Sequence, residues 1–154
     1  MPIEKSRLLT TGSRRHPRPD LVKRVFDITY TRFAPYILVH GNCPSPKWVF
    51  DPVLEIPKII PESVDMVAEK WANLHGIQTE PHSADWNQFG LRAGPMRNQE
   101  MINLGAEVVF AFPAGKSIGT RGCIKMAQKA NIPVWVFELV ESKNGKVKMV
   151  RTVV

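Results

Sequence analysis

The chain has 154 residues, of which 44% are hydrophobic and 23% charged, and a net charge of +7. This is enough apolar side chain for one core and reads as a soluble globular chain, and no apolar run is long enough to cross a bilayer as a helix. Cys43 and Cys123 form neither a CxxC nor a metal-ligand spacing, which predicts reduced thiols, no metal and a cytoplasmic protein. The first residues, MPIEKSRLL, lack the apolar centre of a signal peptide. The positive charge favours anionic partners, either small phosphates or nucleic acid, and part of it crowds into Lys5, Arg7, Arg14, Arg15, His16 and Arg18.

In chain order, residues 7–11 (RLLTT) read as a first strand, broken by Gly12-Ser13-Arg14. Glycine permits a sharp turn there, and the hydroxyl and guanidinium suit a phosphate, although an ordinary turn uses the same residues. A helix is expected over about residues 21–32, with Asp20 as N-cap and Leu21, Val25 and Ile28 at helical spacing, widened by Val22, Phe26 and Phe33. Tyr36–His40 is a second buried strand, running into the polar loop His40-Gly41-Asn42.

Residues 43–61 interleave five prolines with Trp48, Val49, Phe50, Leu54, Ile56 and Ile59. The prolines rule out a regular helix or central strand. The apolar side chains favour a structured loop that covers a site or an oligomer contact. Pro61 then suits a helix start, and Val64, Val67, Ala68, Trp71 and Leu74 form its stripe up to Gly76. A third strand is expected over residues 77–81, followed by His82-Ser83-Ala84-Asp85-Trp86. Asp85 can take a ribose hydroxyl, act as an acid–base group or cap a turn. Trp86 can stack on a base or lie half-buried.

Gly94-Pro95 marks another helix start, with Pro95 at N1, Arg97 and Asn98 in the first turn, Met101, Ile102 and Leu104 facing the core and Gly105 as the stop. Residues 107–112 form the fourth strand. The loop Pro113, Gly115, Lys116, Ser117, Gly119 follows, and Thr120 is read as N-cap of a helix with Cys123, Ile124, Ala127 and Ala130 inward. A glycine-bearing loop between strand and helix aims free N–H groups and the helix dipole at one point, which is an anion site. Gly122 in that first turn suggests close packing or a close ligand. Residues 133–137 form a fifth strand. Ser142-Lys143-Asn144-Gly145 is a hairpin turn, and residues 147–154 return as an antiparallel edge strand guarded by Lys146, Lys148 and Arg151.

Strands and helices alternate throughout, which predicts a single α/β domain over residues 1–154, with a mostly parallel sheet between two helical layers. Ligands of such sheets bind beyond the carboxyl ends of the strands. The loops there, at residues 12–14, 40–42, 82–86 and 113–120, hold most of the polar and glycine residues singled out above. The last loop lacks the GxGxxG spacing and does not follow the first strand, which disfavours a dinucleotide dehydrogenase.

The order TGSR, a strand ending HG, HSADW, AGPMRNQEM, FPAGKSIGT and IPVWV resembles the SLOG superfamily, and most closely its YpsA/YspA-related branch, which is frequent in bacterial and phage genomes. The matching positions are 11–14, 40–41, 82, 84–86, 93–95, 97–99, 101, 112–113, 119–120 and 132–136. The resemblance implies a Rossmann-like domain that binds nucleotides or nucleotide-derived ligands. Its relatives include lonely-guy phosphoribohydrolases, the single-strand DNA-binding protein DprA, and sensors of cyclic ADP-ribose-like signals. Two departures stand out. The family's HGGARGAD loop is replaced by His40-Gly41-Asn42 and the proline-rich insertion, with Asp65 as the nearest match to the final Asp. Cys123 stands where the hydrolases' PGGxGTxxE motif has its catalytic Glu, and a thiol does not replace that carboxylate.

The expected function is therefore binding of a phosphate-bearing nucleotide derivative, without a further cofactor. By analogy it would serve to sense or sequester a signalling nucleotide, in a phage setting as an anti-defence protein. In this reading Gly115, Ser117, Gly119 and Thr120 cradle the phosphate, with Gly12, Ser13, Gly41, Gly94, Asn98, Pro113 and Lys116 around it. Arg14 and Arg97 supply charge, Asp85 takes the ribose, Trp86 stacks, and His40 lies at the site. The alternatives are N-glycosidic cleavage of a nucleoside monophosphate with Asp85 as the acid–base group, and single-stranded DNA binding. A homo-oligomer is expected from the apolar insertion and the open last strand.

Overall fold

The computed structural model describes residues 6–33, 36–48, 53 and 59–154. Six strands, β1 (Ser6–Gly12), β2 (Tyr36–His40), β3 (Thr79–Pro81), β4 (Val108–Phe112), β5 (Val134–Glu141) and β6 (Val147–Val153), form one sheet in the order β3-β2-β1-β4-β5-β6. All neighbours run parallel except β6, which pairs antiparallel with β5. The helices are α1 (Pro19–Thr29), α2 (Val64–Leu74), α3 (Trp86–Phe89), α4 (Ala93–Asn103) and α5 (Ile118–Lys129). This is the expected α/β, Rossmann-like sandwich.

Strand alternation builds two cores. On one face Leu8, Leu38, Phe110 and Phe112 meet Val22 and Phe26 of α1 and Val64, Ala68 and Trp71 of α2. On the other, Leu9, Val39, Val109 and Ala111 meet Met101 and Ile102 of α4 and Cys123 and Ala127 of α5. Because both faces are covered, β4 is apolar and buried at every position, and the neighbouring β1 and β2 bury Leu8, Leu9, Leu38 and Val39 and, at the ends that lead to the cleft, Thr10, Thr11 and His40. Among the described residues no helix is long and apolar enough to cross a membrane.

Several local expectations are corrected. Asp20 does not cap α1. Arg18 occupies the N-cap, Pro19 opens the helix, and Asp20 in the first turn accepts two hydrogen bonds from the Arg18 guanidinium at 2.9 and 2.8 Å. The helix proper ends at Thr29, and a 3-10 turn, Tyr30–Arg32, completes the predicted span. Its core face is Val22 and Phe26, and Ile28 is exposed. Ser63, not Pro61, sets the start of α2, its Oγ accepting from Met66 N. Leu74 and Leu104, expected inside, are exposed at the helix ends. Pro95 is the third residue of α4, a position equally free of the need for an N–H donor. α3 and the 3-10 turn Gly90–Arg92 were not anticipated.

Within the proline-rich insertion, Val49, Phe50, Pro52, Leu54, Ile56 and Pro57 lie outside the described residues. Its two ends are tied to the start of α2. Ser63 Oγ donates to Cys43 O at 2.6 Å, Ser63 N to Ser45 Oγ at 3.1 Å, and Trp48 Nε1 to Pro61 O at 3.2 Å.

Candidate functional site

β1 and β4 are the point where the strand order reverses. The chain leaves β1 toward the α1/α2 face and leaves β4 toward the α4/α5 face, so a crevice opens between their ends. The two loops are joined there by Ser13 N donating to Phe112 O at 3.1 Å. Ser13 O in turn accepts from Val64 N at 3.2 Å and so satisfies a free donor in the first turn of α2. This docking requires Gly12, since a Cβ there would stand 2.4 Å from Val64 Cγ2.

The crevice is a cleft of about 660 Å³, continuous with an outer compartment of about 470 Å³ through shared walls at Arg14, Arg15, Gly41, Cys43, Trp86 and Arg97. Of the residues singled out in the sequence, Gly12, Ser13, Arg14, Gly41, Trp86, Gly94, Arg97, Asn98, Ser117, Gly119 and Thr120 line it. They come from five separate segments of the chain, which the topology brings to one place.

Arg97 is seated by backbone. Its Nη1 donates to Gly41 O and, at 3.4 Å, to His82 O, and its Nε donates to Asn98 Oδ1 at 2.8 Å. Nη2 has no partner among the described residues. The seat depends on Gly41, where a Cβ would lie 2.5 Å from Arg97 Nη1. Asn98 also reaches Gly119 O through Nδ2 at 3.4 Å, linking α4 to the start of α5. Arg14 stacks on Trp86, its Cζ 4.8 Å from the ring centroid, and Trp86 lies against Gly94, where a Cβ would come within 3.1 Å of Cη2. Arg15 sits 6.0 Å from the centroid of Trp48.

The anion loop differs from the expectation in detail. Ser117, not Thr120, is the N-cap of α5. Its backbone is left-handed (φ 44°, ψ 50°), and its Oγ donates to Thr120 Oγ1 at 3.2 Å. Thr120 is buried within the first turn. At Gly119 and Gly122 a Cβ would meet nothing within 4 Å. No close packing among the described residues therefore requires Gly122, whereas Gly119 faces the open cleft. Pro113, Gly115 and Lys116 do not line the cleft. Arg121 grips that part of the loop from outside, donating to Gly115 O and Lys116 O, each at 3.1 Å. The sequence reading missed this clamp.

Two further residues are placed elsewhere. His40 is wholly buried. Its Nδ1 accepts from Asn42 N at 3.0 Å, which puts the proton on Nε2 facing Glu69 Oε2 at 2.6 Å. Both ring nitrogens are thus used inside the protein. Asp85 is exposed and caps α3, accepting from Gln88 N at 3.0 Å. The carboxyl that does line the cleft is Asp65, in the first turn of α2. It is buried and accepts from Cys43 N at 3.1 Å. Burial raises its pKa, opposed by the N–H groups of Cys43 and Gly41 and by the charge of Arg97. The only advance sign of this role was its position as the nearest match to the final Asp of HGGARGAD.

Cys123 lies on the inner face of α5, in the core, with its thiol pushed up to about 11 by burial. It presents neither a thiolate nor a carboxylate to the cleft. Among the described residues no three His, Cys, Asp or Glu side chains are arranged to hold a metal ion. The cleft can therefore offer an anion the guanidinium groups of Arg14, Arg15 and Arg97, the hydroxyls of Ser13, Ser117 and Thr120 and the N-terminal turn of a helix, beside the indole of Trp86 and the buried carboxyl of Asp65.

No model of a known protein family matches the chain. The chain is similar to the Gene 61 protein of Mycobacterium phage D29, with 48% identity over 75 residues. The matched part is 46% of this chain and 60% of that protein, so the chain spans less than two thirds of its relative's length.

Proposed function

We propose that the cleft binds a phosphate-bearing nucleotide derivative and that the chain is a SLOG-like binding protein of phage type. One observation carries this reading: Arg14, Arg97, Ser117, Thr120 and the free turn of α5 converge on one cleft at the switch point of the sheet. The phosphate sits at Ser117, Gly119 and Thr120, where backbone N–H groups and the dipole act together. Arg97, held rigidly by Gly41 and Asn98, gives a charge-assisted bond from a preset position. Trp86 offers its face to a base when Arg14 turns to the phosphate.

Cys123 supports binding over cleavage, because the position aligned with the hydrolase Glu points into the core. Mass spectrometry of small molecules released from the purified protein tests the proposal. A nucleotide derivative recovered intact supports it. A preparation that releases none, and is not stabilised against heat by any nucleotide, overturns it.

Single-stranded DNA is the second reading, favoured by the neighbouring Arg14–Trp86 and Arg15–Trp48 pairs, which resemble stacking platforms. It requires a steep fall of oligonucleotide affinity with salt and no dependence on Thr120. We further propose self-association through the exposed apolar side chains Leu91, Met96, Leu104 and Ile118 on the α4/α5 side.

A further inference from the structure

We infer that Asp65 is the ribose-recognising group of the cleft and makes the protein selective for ribonucleotides over deoxyribonucleotides. The inference rests on the nucleotide-binding reading above.

Asp65 belongs to the second residue of α2, where an acidic side chain commonly stands in solvent and interacts with the helix dipole. Here it is buried, only 7% exposed, and forms part of the cleft wall. Its Oδ2 accepts from Cys43 N at 3.1 Å, and no side chain of the described residues hydrogen-bonds to the carboxyl. A buried carboxylate has about four acceptor sites, and backbone donors fill only part of that capacity here. A ligand that displaces water from these acceptor sites leaves a costly deficit unless it brings donors of its own. A bound molecule that supplies hydroxyl donors removes the deficit.

The surrounding charges narrow the choice of donor. Arg97 lies close enough to act on the Asp65 charge, and Arg14 and Arg97 line the same walls. The ligand therefore has anionic groups for the arginines and neutral hydroxyl donors for the carboxyl. A phosphorylated ribose carries both within one small unit. A ligand amine would meet Arg97 and be repelled. A deoxyribose lacks one of the two donors and leaves the carboxyl short, and a site built around a buried polar group rejects such an analogue more strongly than one built on apolar contact.

The test is titration calorimetry of the full chain with adenosine 5′-monophosphate, its 2′-deoxy and 3′-deoxy analogues, and inorganic phosphate, repeated with Asp65→Asn. Asn keeps an acceptor for Cys43 N and removes the charge, so the start of α2 stays folded. Circular dichroism and the retained phosphate affinity check this. We expect the ribonucleotide to bind at least tenfold more tightly than one or both deoxy analogues in the wild type, and this preference to fall below about threefold in Asp65→Asn, with inorganic phosphate affinity kept or raised by loss of the neighbouring negative charge. Equal binding of all three nucleotides by the wild type overturns the inference and leaves the nucleotide-binding reading standing. A preference that survives Asp65→Asn assigns the ribose contact to another group and also overturns it. Failure of every nucleotide to bind removes both.

Discussion

Gly41→Ala is a small change with a defined target. An alanine Cβ would stand 2.5 Å from Arg97 Nη1 and 2.6 Å from Cζ, where uncrowded heavy atoms keep about 3.5 Å or more. The guanidinium must move by about 1 Å or more, which breaks its hydrogen bond to Gly41 O. Arg97 ends in a flexible chain, so the fold adjusts at the loss of one charged hydrogen bond, about 1–3 kcal/mol. For a chain of 154 residues this lowers the melting temperature by roughly 2–10 °C. Under the proposed function the effect on binding is larger in proportion, because the displaced arginine would no longer point at the phosphate. Affinity for adenosine 5′-monophosphate is expected to fall tenfold to a hundredfold. Thermal unfolding and titration calorimetry on the same preparation read both quantities. Wild-type affinity in Gly41→Ala, with the protein folded, would show that the seat of Arg97 has no part in ligand binding. Outright unfolding would show that Gly41 serves core packing instead.

Other outcomes follow from the same structure. Gly12→Ala puts a Cβ 2.4 Å from Val64 Cγ2 and 2.6 Å from its Cβ. A β-branched side chain in a helix cannot swing aside, so urea unfolding should show a loss of about 2–4 kcal/mol, more than for Gly41→Ala. His16 is wholly buried, its Nε2 has no partner among the described residues, and burial lowers its pKa to about 4 against a weaker opposing effect of Asp20. The folded state thus favours the neutral ring. The stabilisation is complete above the unfolded value near 6.5 and is lost as pH falls toward 4, by about 3 kcal/mol. His16→Asn, which keeps an acceptor for Arg18 N, should flatten this part of the pH–stability curve, and an unchanged slope would contradict the assignment. If α4 and α5 present a self-association face, light scattering will give a mass of at least twice 17.4 kDa, and Leu104→Glu will reduce it. A wild-type mass of one chain sinks that proposal.

Most of the fold was legible because the sheet is covered on both faces. Apolar runs such as Val108–Phe112 have no other stable place, and the punctuation at Gly12, Gly76 and Gly105 marks where elements end. The site was legible at the level of loops, because the alternating order sends all strand ends to one edge. It was less legible residue by residue. The ring of His40 turns inward to Glu69, and Asp85 is used by its own helix turn, in both cases through contacts set by tertiary placement or local capping that residue type alone does not choose between. Asp65 was hard to rank because an acid in a first helical turn is ordinary in sequence. Its burial comes from the docking of α2 on Gly12, a close approach that only three dimensions show. The left-handed Ser117, which moved the start of α5 three residues upstream of Thr120, carries no glycine signal.

The most direct measurement is titration of the wild type and Arg97→Ala with a panel of ribonucleoside monophosphates and cyclic or linear dinucleotides at two salt concentrations. The proposed function predicts saturable binding of at least one phosphate-bearing nucleotide, weakened tenfold or more by Arg97→Ala and only modestly by salt. Absence of binding throughout the panel, or binding indifferent to Arg97, would contradict the assignment of the β1/β4 cleft as a nucleotide site.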